Sequence, residues 1–265
     1  MKANNITICV PSLGCTRSCP YCISKMTPDS IGTAKFNEER VRLSLSFAQT
    51  LGATSLLITS RGEPLKNMED VRMILKIARE KLIPTEIQTN GDVGEYAREL
   101  AEGGLSVYAV SIDNAGQVER QSGLYRDILS NSMILRWTVV LHDVSMKMSV
   151  HEWLALAESN GVRQLTFRKL TVPSNARNIV PAKWIEDNVH NLGDWMRELE
   201  KYVENRKVIR TLSFGPKVVE AGPISLTYFP YCIQESGNED ELRSLILRDD
   251  GHVYTDWNSM ASVLF

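Results

Sequence analysis

Six short apolar runs, the first five each followed by a stretch that is helical in its periodicity or its end signals, fill roughly the first two thirds of this 265-residue chain. The runs are residues 6–10, 55–59, 85–88, 105–112, 135–141 and 164–170. Between the first two, residues 38–51 follow Asn37, a capping residue, and stop at Gly52. Residues 68–80 place Met68, Val71, Ile74, Leu75 and Ala78 on one helical face. Residues 93–101, 125–131 and 150–160 read as further helices, the last capped by Ser149 and ended by Gly161. A repeated strand–helix unit points to a parallel sheet, because parallel neighbours are joined only by long crossovers. The apolar runs fit strands buried on both faces. The pattern serves an open sheet and a barrel equally.

After Leu170 the pattern changes. Residues 171–181 hold two prolines and no periodicity, as a loop does. Residues 182–202 read as one amphipathic helix, with Ile185, Val189, Leu192, Met196 and Leu199 spaced by four and three. Strands are expected at 208–212 and 224–229, and residues 245–248 and 252–255 flank Asp249-Asp250-Gly251, a hairpin signal. The division expected is a core over residues 1–170 and an extension over residues 171–265 that caps or flanks it. Trp184, Trp195 and Tyr202 are expected to pack, and Arg206, Lys207 and Arg210 to form a solvated basic face.

A net charge of −2 gives no whole-chain attraction to nucleic acid or to an anionic membrane. No apolar run approaches the length of a membrane span, and residues 1–5 lack the apolar core of a signal peptide. A cytoplasmic location is expected. In a reducing compartment the five cysteines, at positions 9, 15, 19, 22 and 232, are better read as metal ligands or reactive groups than as disulfides. Cys15, Cys19 and Cys22 lie within eight residues, just after the first strand. Clustered thiolates suit zinc or an iron–sulfur cluster. A closed zinc site wants four ligands, and no fourth cysteine or histidine is near; a zinc site completed from afar stays open as the alternative.

The spacings of three and two, with Tyr21 before the last cysteine, resemble the signature of the radical S-adenosylmethionine (SAM) superfamily. The resemblance implies a partial six-stranded β/α barrel whose site lies at the C-terminal strand ends. It implies one [4Fe–4S] cluster on the three cysteines, with SAM chelated by the fourth iron. It further implies one-electron cleavage of SAM to methionine and a 5′-deoxyadenosyl radical, an oxygen-sensitive enzyme, and a reductant such as flavodoxin or ferredoxin. Ser60-Arg61-Gly62-Glu63-Pro64 is similar to the family's Gly-Gly-Glu-Pro motif, with Arg61 in place of the first glycine, and would receive the SAM amino group through Gly62 and Glu63. Thr89-Asn90-Gly91, Ser111-Ile112-Asp113, His142 and Arg168 follow at later strand ends, in the family's order, and Tyr21 would lie near adenine. The resemblance makes Asn90, Ser111, Asp113, His142 and Arg168 cofactor-side candidates, and Arg61, Asn90, His142 and Lys169 candidates to face the substrate. Residues 231–254 faintly resemble the C-terminal regions of the molybdenum-cofactor GTP cyclase relatives and of auxiliary-cluster enzymes, but only Cys232 remains there, so no second cluster is expected. The substrate expected first is a small molecule or nucleotide, with a peptide or RNA as the alternative. The rival from another class is a non-catalytic iron–sulfur or zinc module.

Overall fold

The computed structural model describes residues 2–26, 36–173, 176–212, 215–229 and 241–265. The strands are β1 (Lys2–Val10), β2 (Leu56–Ser60), β3 (Thr85–Thr89), β4 (Leu105–Ile112), β5 (Ile134–Leu141), β6 (Gln164–Lys169), β7 (Val208–Thr211), β8 (Lys217–Ala221), β9 (Ile224–Phe229), β10 (Glu241–Leu247) and β11 (Val253–Tyr254). The helices are α1 (Glu38–Thr50), α2 (Met68–Glu80), α3 (Ala97–Glu102), α4 (Ala115–Arg120), α5 (Ser122–Ser130), α6 (Val150–Ser159), α7 (Ile179–Asn188) and α8 (Leu192–Val203). All six expected strands form, and α1 is capped by Asn37 and α6 by a full Ser149–Glu152 capping box.

The strands make one sheet in the order β11-β10-β1-β2-β3-β4-β5-β6-β9-β8-β7. From β10 to β9 every pairing is parallel, so the parallel run has two members beyond the expected six. Both come from the chain after Leu170: β9 pairs with β6, and β10 with β1. The Asp249-Asp250-Gly251 hairpin is present, joining β10 to β11. Among the described residues no hydrogen-bonded ladder closes the sheet. Phe229 at the end of β9 nevertheless lies under the guanidinium of Arg243 in β10, 5.0 Å from the ring centroid, so the two strands approach across the seam.

One face of the sheet and the helices share the main core. Ile6, Ile8, Leu56, Ile58 and Ile87 pack there with Val41 and Leu45 of α1 and Ile74 and Leu75 of α2. Because strand side chains alternate, the intervening residues face the concave side. These are Thr7, Cys9, Thr138, Thr166 and Thr227, all buried. At the N-terminal end of the strands that side is spanned by Glu86, which ion-pairs with Arg136, and by Gln164, which accepts from Arg136 Nε at 2.6 Å.

One expectation needs correction. Residues 182–202 are two helices, α7 and α8, with a break at 189–191. Asp143, at the end of β5, makes the break: its N–H donates to the Asn188 carbonyl at 2.9 Å, and its carboxylate receives the His190 N–H at 2.8 Å. Backbone groups captured in this way leave the helical ladder.

Candidate functional site

The parallel strands all end on one side, and the cysteine loop crosses that side directly after β1. Cys15 is exposed, Cys19 and Cys22 are half-buried, and Cys9 is buried within β1. Two short turns shape the loop: the Cys22 N–H donates to the Cys19 carbonyl at 3.3 Å, and the Lys25 N–H to the Cys22 carbonyl at 3.0 Å. Burial raises the Cys19 thiol above its usual range and pushes Cys9 up to about 12.

The loop is fastened to the strand ends by side chains. Arg17 donates through Nε and Nη2 to both oxygens of Asp92, at 2.7 and 2.5 Å, and through Nη2 to the Asn90 carbonyl at 2.7 Å. The same guanidinium lies 3.6 Å from Asp113. Asn90 Nδ2 reaches back to Thr16 Oγ1 at 2.8 Å and to Cys15 Sγ at 3.6 Å. Buried Gln117 and Gln121 complete the fastening from α4 and the α4–α5 junction. Gln117 donates to the Ser111 carbonyl at 2.7 Å, and Gln121 to the Asn90 carbonyl at 2.9 Å and to Asp92 at 3.1 Å. Sequence reading passed over Arg17, Asp92 and both glutamines; the position of Arg17 between two cysteines was the one available signal.

Gly62 and Glu63 belong to the same construction. A Cβ on Gly62 would stand 2.2 Å from the Gly14 carbonyl oxygen, so only glycine lets the β2 loop meet the cysteine loop. The Glu63 N–H donates to that same oxygen at 2.9 Å. Its carboxylate is buried and accepts from Thr89 Oγ1 at 2.7 Å, Asn90 N at 2.9 Å and Leu65 N at 3.2 Å. Burial pushes this carboxyl above the usual range against the pull of those three donors. Arg61 extends the other way, its Nη2 donating to the Ser24 carbonyl at 3.1 Å. Asp249 of the hairpin is within electrostatic reach of Arg61 and Arg248, and burial raises its carboxyl.

Tyr21 donates its hydroxyl to Asp113, and burial and that carboxylate hold the phenol far above its ordinary value. Its ring packs 5.6 Å from His142 and 5.2 Å from Trp184 of α7. His142 is 5% exposed, and neither ring nitrogen has a hydrogen-bond partner among the described residues. Burial lowers its pKa, which keeps the ring neutral. Arg168 stands at the end of β6 with its guanidinium 5.9 Å from the Phe229 centroid and its Nε without a partner among the described residues. Lys169 is half-buried beside it. Met26, Val140, Leu170 and Ile185 form a second apolar cluster, joined by Tyr21, Ile23 and Trp184, through which α7 presses on the cysteine loop. The structure thus brings Tyr21, Gly62, Glu63, Asn90, Ser111, Asp113, His142 and Arg168 to the end of the sheet that carries the cysteines. Cys232 lies outside the described residues.

The donor set can be tested against a cluster. Among the described residues no three His, Cys, Asp or Glu side chains converge as ligands of one ion. A cubane takes one thiolate per iron, and Cys15, Cys19 and Cys22 offer three thiols from one loop. Arg17 lies close enough to Cys19 to favour its thiolate, against the larger opposing effect of Asp113, and Lys25 donates to the Cys19 carbonyl at 3.0 Å.

The radical SAM superfamily model matches residues 9–132. No curated protein matches the chain in sequence. Among solved structures, SuiB of Streptococcus suis bound to precursor peptide SuiA is similar with a TM-score of 0.62 at 13% identity, over 96% of this chain and 59% of that one. SuiB bound to S-adenosylmethionine gives 0.59 at 14%, over 96% and 58%. Native anSMEcpe with bound AdoMet gives 0.53 at 14%, over 96% and 74%. The chain therefore spans less than two thirds of the length of SuiB. At these identities the likeness is one of fold, an open, partial β/α barrel. No helix among the described residues is long and apolar enough to cross a membrane. The family match falls on the cysteine loop and the strand ends that surround it, so residues 9–132 are similar to the radical SAM superfamily, enzymes that use a [4Fe–4S] cluster and SAM.

Proposed function

We propose that Cys15, Cys19 and Cys22 hold a single [4Fe–4S] cluster, that SAM binds across the strand ends beside it, and that the chain abstracts hydrogen from an organic substrate. The observation that carries the reading is the cysteine loop itself, placed at the strand ends and fastened to β3 and β4 by Arg17, Asn90 and Asp92. The bound cluster and SAM supply the radical, and the protein's share is binding, orientation and shelter.

The residues divide that share. Gly62 lets the β2 loop close on the cysteine loop, and the backbone oxygens around it would receive the SAM amino group. The Glu63 carboxylate, already accepting three hydrogen bonds, sets the shape of this pocket and joins the second to the third strand end. Ser111 and Asp113 offer oxygens to ribose hydroxyls. Asn90 Nδ2 stands 3.6 Å from Cys15 Sγ, beside the cluster. Neutral His142 and the Tyr21 ring form a wall for adenine or substrate, and Arg168 is a cation for a carboxylate. Trp184 and the apolar cluster under α7 shield the Tyr21–Ile23 side of the cysteine loop from water. The exposed edge of the loop, at Leu13 and Cys15, is where a reductant such as flavodoxin or ferredoxin would deliver its electron.

A polypeptide substrate takes precedence over a small molecule or nucleotide. The likeness to SuiB, solved with a precursor peptide, supports it, as does an exposed edge of the sheet treated below.

The deciding experiment follows 5′-deoxyadenosine formed from SAM by anaerobically reconstituted, dithionite-reduced protein. Alanine at any one of Cys15, Cys19 or Cys22 should abolish the product, and the wild type should hold about four irons per chain. Turnover retained without the cluster, or zinc in place of iron, would overturn the reading in favour of a metal module.

A further inference from the structure

β7 is the last strand of the sheet on the side away from the hairpin, and its residues are exposed throughout. It pairs with β8, and among the described residues nothing pairs with its other side. An unpaired strand edge is a row of N–H and C=O groups ready to accept another strand. Such edges are commonly blunted by cations and bulges, and β7 has both: a register shift between Val208 and Arg210, and a basic border. Yet it also presents two β-branched apolar side chains, Val208 at 45% and Ile209 at 53% exposure, which a purely protective edge would not carry.

The charge is one-sided. Arg206, Lys207, Arg210 and Lys217 border the strand, against Glu204 and Glu220. Lys207 lies 3.5 Å from Glu220, and Arg206 covers the Tyr202 ring at 4.5 Å. Arg210 and Lys217 have no ion-pair partner among the described residues. This positive border stands on a chain whose net charge is −2.

Direction completes the argument. β8 is antiparallel to β9, and β7 to β8, so β7 runs the same way as β6 and β9 and ends on the side of the cysteine loop.

We propose that β7 is a docking edge for an acidic, extended peptide segment, which adds to the sheet as a twelfth strand and delivers the adjoining part of the same polypeptide to the barrel mouth. The inference rests on the radical SAM reading for the chemistry and names its substrate class. Backbone pairing would hold the segment, Val208 and Ile209 would pack against its alternate apolar side chains, and Arg210 and Lys217 would select carboxylates. Strands lie about 4.8 Å apart, so an added strand stands about 19 Å from β6. Extended chain covers that distance in about six residues, which sets the minimum separation between docking segment and reacting residue.

The test uses the reconstituted full chain and a labelled synthetic probe, acetyl-(Glu-Val)4-amide, followed by fluorescence anisotropy and by amide hydrogen exchange. Saturable binding is expected, at least ten-fold tighter than for the (Lys-Val)4 counterpart, weakening with salt, and with exchange slowed across residues 207–211. The double substitution Arg210→Glu, Lys217→Glu should weaken the probe at least ten-fold. Ile209→Pro should do the same at an unchanged melting temperature. SAM cleavage without peptide should be equal in the wild type and the charge variant, so a defect in the radical chemistry shows separately from a defect in docking. Equal binding of acidic and basic probes, binding without protection of β7, displacement by a uridine oligomer, or self-association through β7 would each overturn the proposal.

Discussion

Gly62 owes its identity to the oxygen that faces it. The Gly14 carbonyl leaves no room for a Cβ, and the next residue's N–H donates to that same oxygen. Gly62→Ala should therefore force the two loops apart at a cost of about 1–3 kcal/mol, typical of overpacking. Urea unfolding of the metal-free protein would measure it, and an unchanged midpoint would show that the loops separate freely. Cys9 makes a second residue-scale test. With its thiol pushed up to about 12 by burial, it stays protonated at neutral pH and shielded from reagents. Alkylation of folded, metal-free protein near pH 8 should label Cys15, Cys19 and Cys22 and leave Cys9 unmodified; fast labelling of Cys9 would contradict its burial. The Gly-Glu pair was legible in the sequence because its neighbours stand at fixed offsets along the chain. Arg17 was not, because its partners Asp92 and Asp113 lie more than seventy residues away and no local periodicity marks them.

At the scale of elements, the same distinction separates what periodicity reveals from what it hides. The six strand–helix units follow from patterns within each segment. The break between α7 and α8 does not, since the apolar spacing runs straight through it and Asp143 imposes it from the end of β5. That junction is also sensitive to acid. Partial desolvation raises the Asp143 carboxyl, but hydrogen bonds from the His190 ring, the His190 N–H and the Asn191 N–H outweigh it and bring the net shift below the usual range. A carboxyl lowered on folding contributes stability above its unfolded pKa, near 4, and loses it as pH falls through the folded value. Asp143→Asn should thus destabilise the protein near neutrality and converge on the wild type as the pH falls from about 4 through the lower folded value. Thermal unfolding of both proteins across that range is the check, and a difference that persists in acid would place the effect elsewhere.

For the whole molecule, the chain after Leu170 contributes strands to both sides of the first six. β10 covers the free edge of β1 and β9 that of β6, burying Leu245, Leu247, Ile224 and Leu226 in the main core. A fully buried side chain of this kind contributes about 1.5–3 kcal/mol. A protein ending at residue 170 should accordingly lose cooperative unfolding in urea and the near-ultraviolet signal of fixed aromatic packing. A sharp transition with full cluster loading would show instead that the first six units suffice. Sequence reading anticipated the β10–β11 hairpin, because its turn is local. It could not anticipate the pairing of β10 with β1, which joins the two ends of the chain and depends on no pattern within either.

The seam between β9 and β10 carries a further meaning. A closed ring of strands has its bore fixed by strand number and stagger. Among the described residues the last two parallel strands share no ladder, and Phe229 lies under the guanidinium of Arg243. A ring with a side-chain contact where a ladder would stand does not have its bore fixed by strand number and stagger alone.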